Sequence, residues 1–364
     1  MESNYKSIEN YIHLIDNRNT NLQCDKLVGL TVEKKFIPSV ANIIGTDLSK
    51  YKVICKHQFA CSLMQVSRDR KMPVAMFKGN EAIMSPAYPM FEVNDENELM
   101  PEYLHLYLSR AEFDREAVFY AIGGVRGSLD WNDFCDIKIN IPPISEQRRI
   151  VNEYQTVERR IANNEALIQK LEETAQAIYH HTFVEGIDEE NLPEGWRMGT
   201  LTDVATFKVG GDRPKMFSES KTEDCNIPIY SNGVESEGLY GFTNKAAVSK
   251  DSITISARGN VGTCFLRRHP YTGIVRLISV IPIYEDFLYY LLFNLSSRNL
   301  TGDGSAQSQI TIPQLENEDI LIPDNETIKV FYKSANTIYN NIDNLKQETH
   351  HLRTLLTLLT SKLS

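Results

Sequence analysis

Asp136–Ile150 reads DIKINIPPISEQRRI, and Asn317–Phe331 reads NEDILIPDNETIKVF. Aligning Pro142 with Pro323 sets an offset of 181 residues. Beyond each proline, apolar positions recur at alternating steps of four and three. The first set is Ile150, Tyr154, Val157, Ile161, Asn164, Ile168, Leu171, Ala175 and Ile178. The second is Phe331, Ala335, Ile338, Ile342, Leu345, Thr349, Leu352, Leu356, Leu359 and Leu363. Shifted by the offset, one set falls on the other, heptad for heptad. The chain therefore holds two copies of one unit, a globular head followed by a coiled-coil helix. So long a seam sets these helices apart from ordinary amphipathic surface helices. Two similar heads at a fixed separation suit a protein that reads something twice.

Working outward gives an α+β chain with pseudo-two-fold organisation. The expected boundaries are a first mixed α/β head at 1–143, a first spacer helix at 144–185 and an acidic linker at 186–195. A second mixed α/β head follows at 196–322 and a second helix at 323–364. Head one has β-rich runs at Lys52–Phe59, Pro73–Phe77 and Met90–Val93, then helical spacing over Pro101–Phe119. Head two is richer in glycine and β-branched residues. Its runs are Val204–Gly211, Ile227–Tyr230, Leu239–Thr243, Ser252–Ala257, Gly262–Leu266 and Gly273–Pro282, with a short helix at Phe287–Leu295. Ser145 is the expected N-cap of the first long helix, with Arg148 at N3. With a head at the start of each helix, the two-fold arrangement is an antiparallel intramolecular coiled coil. Asn164 and Thr349 are its polar seam positions, and such residues fix register at a cost in stability.

The six cysteines form no CxxC pair and no zinc-like spacing with histidine, so free thiols are expected. The start, MESNYKSIEN, lacks an apolar leader, and no apolar run approaches the roughly 18 residues that span a bilayer. A cytoplasmic chain with no membrane association is expected. The net charge of −10 speaks against a nucleic-acid binder only when taken globally. Residues 144–195 carry −6 of it, leaving −3 in 1–143 and −2 in 196–322. Lys34–Asn80 holds nine basic residues against Asp47 and Asp69, and Ser252–Tyr284 holds four arginines and no acid. Each head thus has one basic stretch, which is the scale on which phosphate contact operates, because salt screens beyond about 8 Å.

Catalytic signatures are missing. No GxGxxG opens a helix after a strand, no GxxxxGK[ST] loop is present, and Ile141-Pro142-Pro143-Ile144 lacks the polar amide and aromatic of a base-methylating [DN]PP[YF] motif. His180-His181 and His350-His351 are adjacent pairs whose members diverge around a helix, so no metal site is expected.

Gly124–Ile150 (GVRGSLDWNDFCDIKINIPPISEQRRI), Pro193–Val204 (PEGWRMGTLTDV), Asp251–Arg267 (DSITISARGNVGTCFLR), Phe287–Leu292 (FLYYLL) and Gly304–Ile312 (GSAQSQITI) carry a resemblance. In this order they resemble the specificity subunit of type I restriction–modification systems, over nearly the whole chain. Two departures are an opening at Tyr5-Lys6-Ser7-Ile8 without Gly-Trp, and Asn325-Glu326-Thr327 after the second proline boundary where Ser145-Glu146-Gln147 follows the first.

The resemblance implies that each head is a target recognition domain reading one half of a split double-stranded DNA sequence. It implies that the helices space the heads and dock two methyltransferase subunits, and through them restriction–translocation subunits. S-adenosylmethionine, ATP and Mg would then sit on those partners, with no cofactor in this chain. The rival expectation is a coiled-coil scaffold, or an orphan specificity-like protein, that binds protein partners only. Base reading needs bidentate donors and amides, and anchoring needs cations. The candidates are Lys34, Lys35, Arg68, Arg70, Lys71, Lys78 and Arg126 in head one, and Lys208, Arg213, Asn232, Arg258, Arg267, Arg268, Arg276, Gln307 and Gln309 in head two.

Overall fold

The computed structural model describes residues 5–39, 45–64, 66–122, 128–298, 300 and 309–363. The chain forms two compact units, Met1–Asn164 with Gln347–Ser364, and Glu165–Lys346. The division falls inside both long helices, so each unit contains a head and half of each helix.

In the first unit, β1 (Tyr5–Ser7), β2 (Ile12–Ile15), β3 (Val28–Leu30), β4 (Phe36–Pro38), β5 (Lys52–Cys55), β6 (Phe59–Cys61), β7 (Val74–Met76), β8 (Glu81–Met84), β9 (Met90–Val93) and β10 (Lys138–Asn140) are the strands. The helices are α1 (Val66–Asp69), α2 (Pro101–Leu108), α3 (Ala111–Ile122), α4 (Trp131–Asp136) and the long α5 (Ile144–Phe183). An antiparallel sheet of order β2-β9-β6-β7 forms the centre. Phe59 and Phe91 stack across it at 5.0 Å, and α2, α3 and α4 cover it with Leu104, Phe113 and Phe134. The run expected at Lys52–Phe59 is two strands, because His57 turns the chain with φ +69°. The helix expected over Pro101–Phe119 breaks at Ser109-Arg110, where the Arg110 guanidinium folds back over Tyr107 at 3.6 Å.

The second unit holds β11 (Arg197–Thr200), β12 (Ala205–Val209), β13 (Ile227–Tyr230), β14 (Leu239–Thr243), β15 (Ser252–Ile255), β16 (Cys264–Arg267), β17 (Thr272–Gly273), β18 (Ile278–Pro282) and β19 (Asp319–Ile322). Its helices are α6 (Leu288–Ser297), α7 (Ile312–Glu316) and the long α8 (Asn325–Ser361). The central sheet has order β12-β18-β15-β16, again antiparallel throughout. That is the first unit's order strand for strand. In each unit the opening strand pairs with the last strand before the long helix, β1 with β10 and β11 with β19. Ile144 and Asn325, which open the two long helices, stand 181 residues apart, as do Trp131 and Ile312, which open α4 and α7. The repeat seen at the prolines is thus a repeat of topology.

α5 begins at the expected boundary, Ile144, so Ser145 lies inside its first turn rather than capping it, and α8 begins at Asn325, two residues after the expected boundary at 323. The anchor there is buried Gln147, which accepts from the Met100 N–H (2.9 Å) and donates to the carbonyls of Glu98 and Pro142 (both 2.8 Å). At α8 the cap is Asp324, accepting from the N–H groups of Glu326 (2.8 Å) and Thr327 (3.0 Å) and from the Trp196 indole (2.8 Å). The Thr327 hydroxyl and N–H, with the other donors, hold the Asp324 carboxyl down at about 2.

The helices pack antiparallel within each unit. In the first, Asn164 meets Thr349, while Ile150 and Tyr154 pack against an apolar cluster that includes Leu363. In the second, Phe183 and Tyr179 pack on Phe331 at 5.0 and 6.2 Å. Of the expected seam, Phe331 and Ile342 are buried. Ile150, Tyr154, Val157, Ile161, Ile168, Leu171, Ile178, Ile338, Leu345, Leu352, Leu356 and Leu359 are all half-buried. Among the described residues, no helix is long and apolar enough to cross a membrane.

Candidate nucleic-acid interface

Strand register sorts the basic side chains of each head to two ends of its sheet. In the second unit Val209 and Ile255 both pair with Ile278, and Ile255 also pairs with Cys264. The exits of β12 and β15 and the starts of β16 and β18 therefore share one end. Three segments leave there, Gly210–Arg213, Ser256–Thr263 and Ile274–Leu277, and they are tied together. Val275 N–H donates to Gly211 O (2.9 Å), and Arg276 N–H to Gly210 O (3.0 Å). A Cβ at Gly210 would come within 2.7 Å of the Gly273 carbonyl carbon, so only glycine allows this approach. Val275 and Arg276 have φ of +53° and +62°. Such backbone costs of order 1–3 kcal/mol per residue and concentrates at functional sites. It leaves both side chains exposed.

Asn232 holds this end rather than facing solvent. Its amide donates to Val275 O (2.7 Å) and accepts from Ala257 N–H (2.8 Å), so the expectation of a base-reading Asn232 gives way to a framework role. Next to it, exposed Arg258 donates from Nε to Gln309 (2.9 Å). Gln309 is thereby engaged and half-buried, while the fork of Arg258 keeps its outer nitrogens. Arg213 lies over the Phe217 ring at 4.7 Å. Arg213, Arg258 and Arg276 are all exposed at this end, and Asp212 is the one acid in the three segments.

In the first unit the segment joining β6 to β7 corresponds to the segment joining β15 to β16. It carries Arg68, Arg70 and Lys71, all exposed. Arg68 pairs with Asp69 at 2.7 Å. Both heads thus present cations at the same topological end of the same sheet. Each adds an exposed apolar side chain, Met64 (70% exposed) and Val275 (52%), suited to a thymine methyl. A search of the sequence for donors passes over these two, because nothing in a sequence marks an apolar residue as exposed.

Other expected contacts are overturned by burial. Lys34 is buried, with Nζ 2.8 Å from Asp114 and donating to Leu108 O at 2.6 Å. It pins the β3–β4 hairpin to α2 and α3, and burial pulls its pKa down. Arg267 is 0% exposed. It lies over Tyr230 at 3.6 Å and donates to Thr254 (3.0 Å), the Glu237 carbonyl (2.6 Å) and the Glu237 carboxylate (3.3 Å). Burial draws its guanidinium below the usual arginine range. Arg268 turns to α8, donating to Asp343 (2.6 Å), Asn340 (2.5 Å) and Asn336 (3.3 Å). Lys34, Arg267 and Arg268 therefore hold the fold together. Lys78 stands just beyond β7, at the end opposite Arg68. Lys35 is exposed at the β3–β4 turn, and Lys208 is exposed on β12 with its amine on Ala247 O at 2.6 Å. Arg126 and Gln307 lie outside the described residues.

Burial pushes Cys135 up to about 11 and Cys264 to about 12, so both are protonated at neutral pH.

The family model for the type I restriction modification DNA specificity domain matches residues 67–173 and again 193–354. The chain belongs to that family. Within it, the chain is 25% identical over 224 residues to S.MpnORF507P of Mycoplasma pneumoniae, named as a type I specificity subunit; the match covers 61% of this chain and 56% of that protein. The chain thus spans about half the length of that relative. It is 23% identical over 338 residues to the MjaX specificity subunit of Methanocaldococcus jannaschii, covering 86% of this chain and 78% of that one. The crystal structure of a type I S subunit from M. genitalium superposes with a TM-score of 0.58 at 18% identity, over 99% of this chain and 95% of that one. That likeness is one of fold. The two family matches fall one on each repeat, each running from a head into its long helix.

Proposed function

We propose that this chain is the non-catalytic DNA specificity subunit of a type I restriction–modification complex. Each head reads one half of a split double-stranded target through the sheet end bearing Arg68, Arg70 and Lys71, or Arg213, Arg258 and Arg276. The paired helices set the gap between half-sites. They also dock two methyltransferase subunits, which bring S-adenosylmethionine and recruit the ATP- and Mg-dependent restriction subunits.

The observation that carries this reading is the duplicated topology with cations at the matching sheet end of two heads whose loops differ. Matching frames explain one docking geometry used twice, and unlike loops explain two different half-sites. Exposed arginines supply bidentate guanine contacts or phosphate anchors. The test is methylome sequencing of a host expressing this chain with its methyltransferase, before and after exchanging residues 196–322 for those of a relative. One split motif that changes in a single half supports the proposal. A motif that changes in both halves or in neither, or no motif at all, defeats it.

A further inference from the structure

We propose that the cavity between the first head and α5 binds a small phosphate-bearing molecule, with Lys56, Lys78 and Arg159 as its cationic ligands. The cavity measures 420 Å³, within the range of small-ligand pockets, and lies wholly within the first unit.

The two units differ at this place. Tyr103 and Tyr290 set the correspondence. The Tyr103 hydroxyl donates to Asn140 O (2.9 Å) and the Tyr290 hydroxyl to Leu321 O, and those two acceptors are 181 residues apart. At the matching place in the second unit is a hollow of 410 Å³ lined by Arg268, Lys346, Asp343, Glu237 and Glu172. Its cations are neutralised within the chain, Arg268 by Asp343 at 2.6 Å and Lys346 by Glu237 at 3.5 Å. The α8 residues that receive Arg268 are Asn336, Asn340 and Asp343. Their α5 equivalents are Gln155, Arg159 and Ala162. A cation has taken the place of an amide, and a methyl that of the carboxylate.

Lys56 and Lys78 approach the same cavity from the strand side. Among the described residues, Lys56, Lys78 and Arg159 have no ion-pair partner. Two carboxylates line it as well, Glu102 at 3.4 Å from the His57 ring and Glu158, which has no ion-pair partner among the described residues. His105 also lines it, and its Nδ1 is buried without a hydrogen-bond partner. Burial, with Lys78 and Lys34 nearby, pulls that ring down to about 4, so it is neutral and can offer an N–H. Three cations against two carboxylates leave the lining net positive, which favours an anion, and lysine and arginine are the usual partners of a phosphate oxygen. Met76, Leu106, Val151 and Tyr154 add an apolar floor for a ring.

Calorimetry of the full chain at low salt, titrated with adenosine 5′-monophosphate and with inorganic phosphate, tests this. Saturable binding at one site per chain is expected, weakened at least tenfold by Lys78→Ala and by Arg159→Asn, the latter placing at 159 the residue found at 340. Melting temperatures within a few degrees of the parent show that these variants fold, and Lys346→Ala should leave the affinity unchanged. Equal affinity for the two probes assigns the site to phosphate itself, and tighter binding of the nucleotide assigns it to a phosphate ester; either supports the proposal. No saturable binding of either probe, or unchanged affinity in both cavity variants, or equal weakening by Lys346→Ala, overturns it.

Discussion

Asn164 and Thr349 meet across the helix pair. The Asn164 amide donates to the Thr349 hydroxyl at 3.4 Å and to the Glu348 carboxylate at 3.0 Å, and Asn164 and Thr349 are both buried. Arg160 donates to both oxygens of the same carboxylate, at 2.9 and 3.1 Å. Under the repeat the two polar positions do not correspond, since each matches an apolar residue of the other helix. Across the antiparallel pair they do correspond, and only one register lets both be satisfied.

That pairing has a measurable cost and use. Asn164→Ala should destabilise the chain by about 1 kcal/mol in chemical denaturation, because it removes the partner of buried or half-buried acceptors. Asn164→Leu with Thr349→Leu should be neutral or stabilising by about 1 kcal/mol while loosening register. Denaturation curves and cross-linking between cysteines placed along the two seams would show both. A double variant as destabilised as the single one would mean that the polar pair does not set register.

Arg267 and Arg276 should separate folding from binding. Arg267→Ala removes a buried guanidinium, its hydrogen bonds and its stack on Tyr230, and should cost about 3 kcal/mol. Arg276→Ala, on an exposed side chain, should change stability by about 0.5 kcal/mol or less. Paired with Arg258→Ala, it should weaken DNA binding and reduce the salt slope by about one unit for each phosphate no longer neutralised. Filter binding over a salt series reads this, and an unchanged slope and affinity would take both arginines out of the interface.

Asp324 gives a pH signature. Its carboxyl is held at about 2 against an ordinary 3.8, chiefly by Thr327. The folded value lies below the unfolded one, so the stabilisation is complete above about pH 4 and is lost as pH falls toward 2. Asp324→Ala should lower the melting temperature by about 2–4 °C at pH 7, with the gap closing below pH 4. A gap that persists at pH 2 would show that the carboxylate's charge is not what caps α8.

The proposed ruler can be lengthened. One heptad adds about 10 Å of helix, about three base pairs of duplex. Seven residues inserted after Asn164 and seven before Gln347 leave the Asn164–Thr349 contact within its own unit. The methylated motif should keep both half-sites and gain a longer gap. Four residues inserted in one helix alone should instead break the seam and abolish assembly with the methyltransferase. A gap unchanged by the paired insertion would mean that the helices do not space the heads.

Topology at the scale of whole elements was legible in the chain itself. The two proline boundaries and the heptads after them marked where each head ends and each long helix begins. The 181-residue offset recurs in the first residues of α5 and α8 and of α4 and α7. These features are local: apolar periodicity and the missing N–H of proline act wherever the chain is placed. Strands with strong β-branched or aromatic runs, such as Ile227–Tyr230 and Met90–Val93, were legible for the same reason.

What the sequence left open was the use made of each charge. Lys34, Arg258, Arg267 and Arg276 look alike as letters in basic stretches. Tertiary packing buries Lys34 against Asp114, lays Arg267 over Tyr230, and leaves Arg258 and Arg276 in solvent. Whether a cation meets a ligand or holds the fold depends on the carboxylates and carbonyls that distant segments bring to it. Glu237 reaches Arg267 from 30 positions away, and Asp114 reaches Lys34 from 80. The heptads and proline boundaries determined the repeat and the helices because those signals are carried within a few residues. The sheet end that gathers Arg213, Arg258 and Arg276, and the unneutralised cavity beside Arg159, were decided only by folding, because burial and pairing arise between residues remote in the chain.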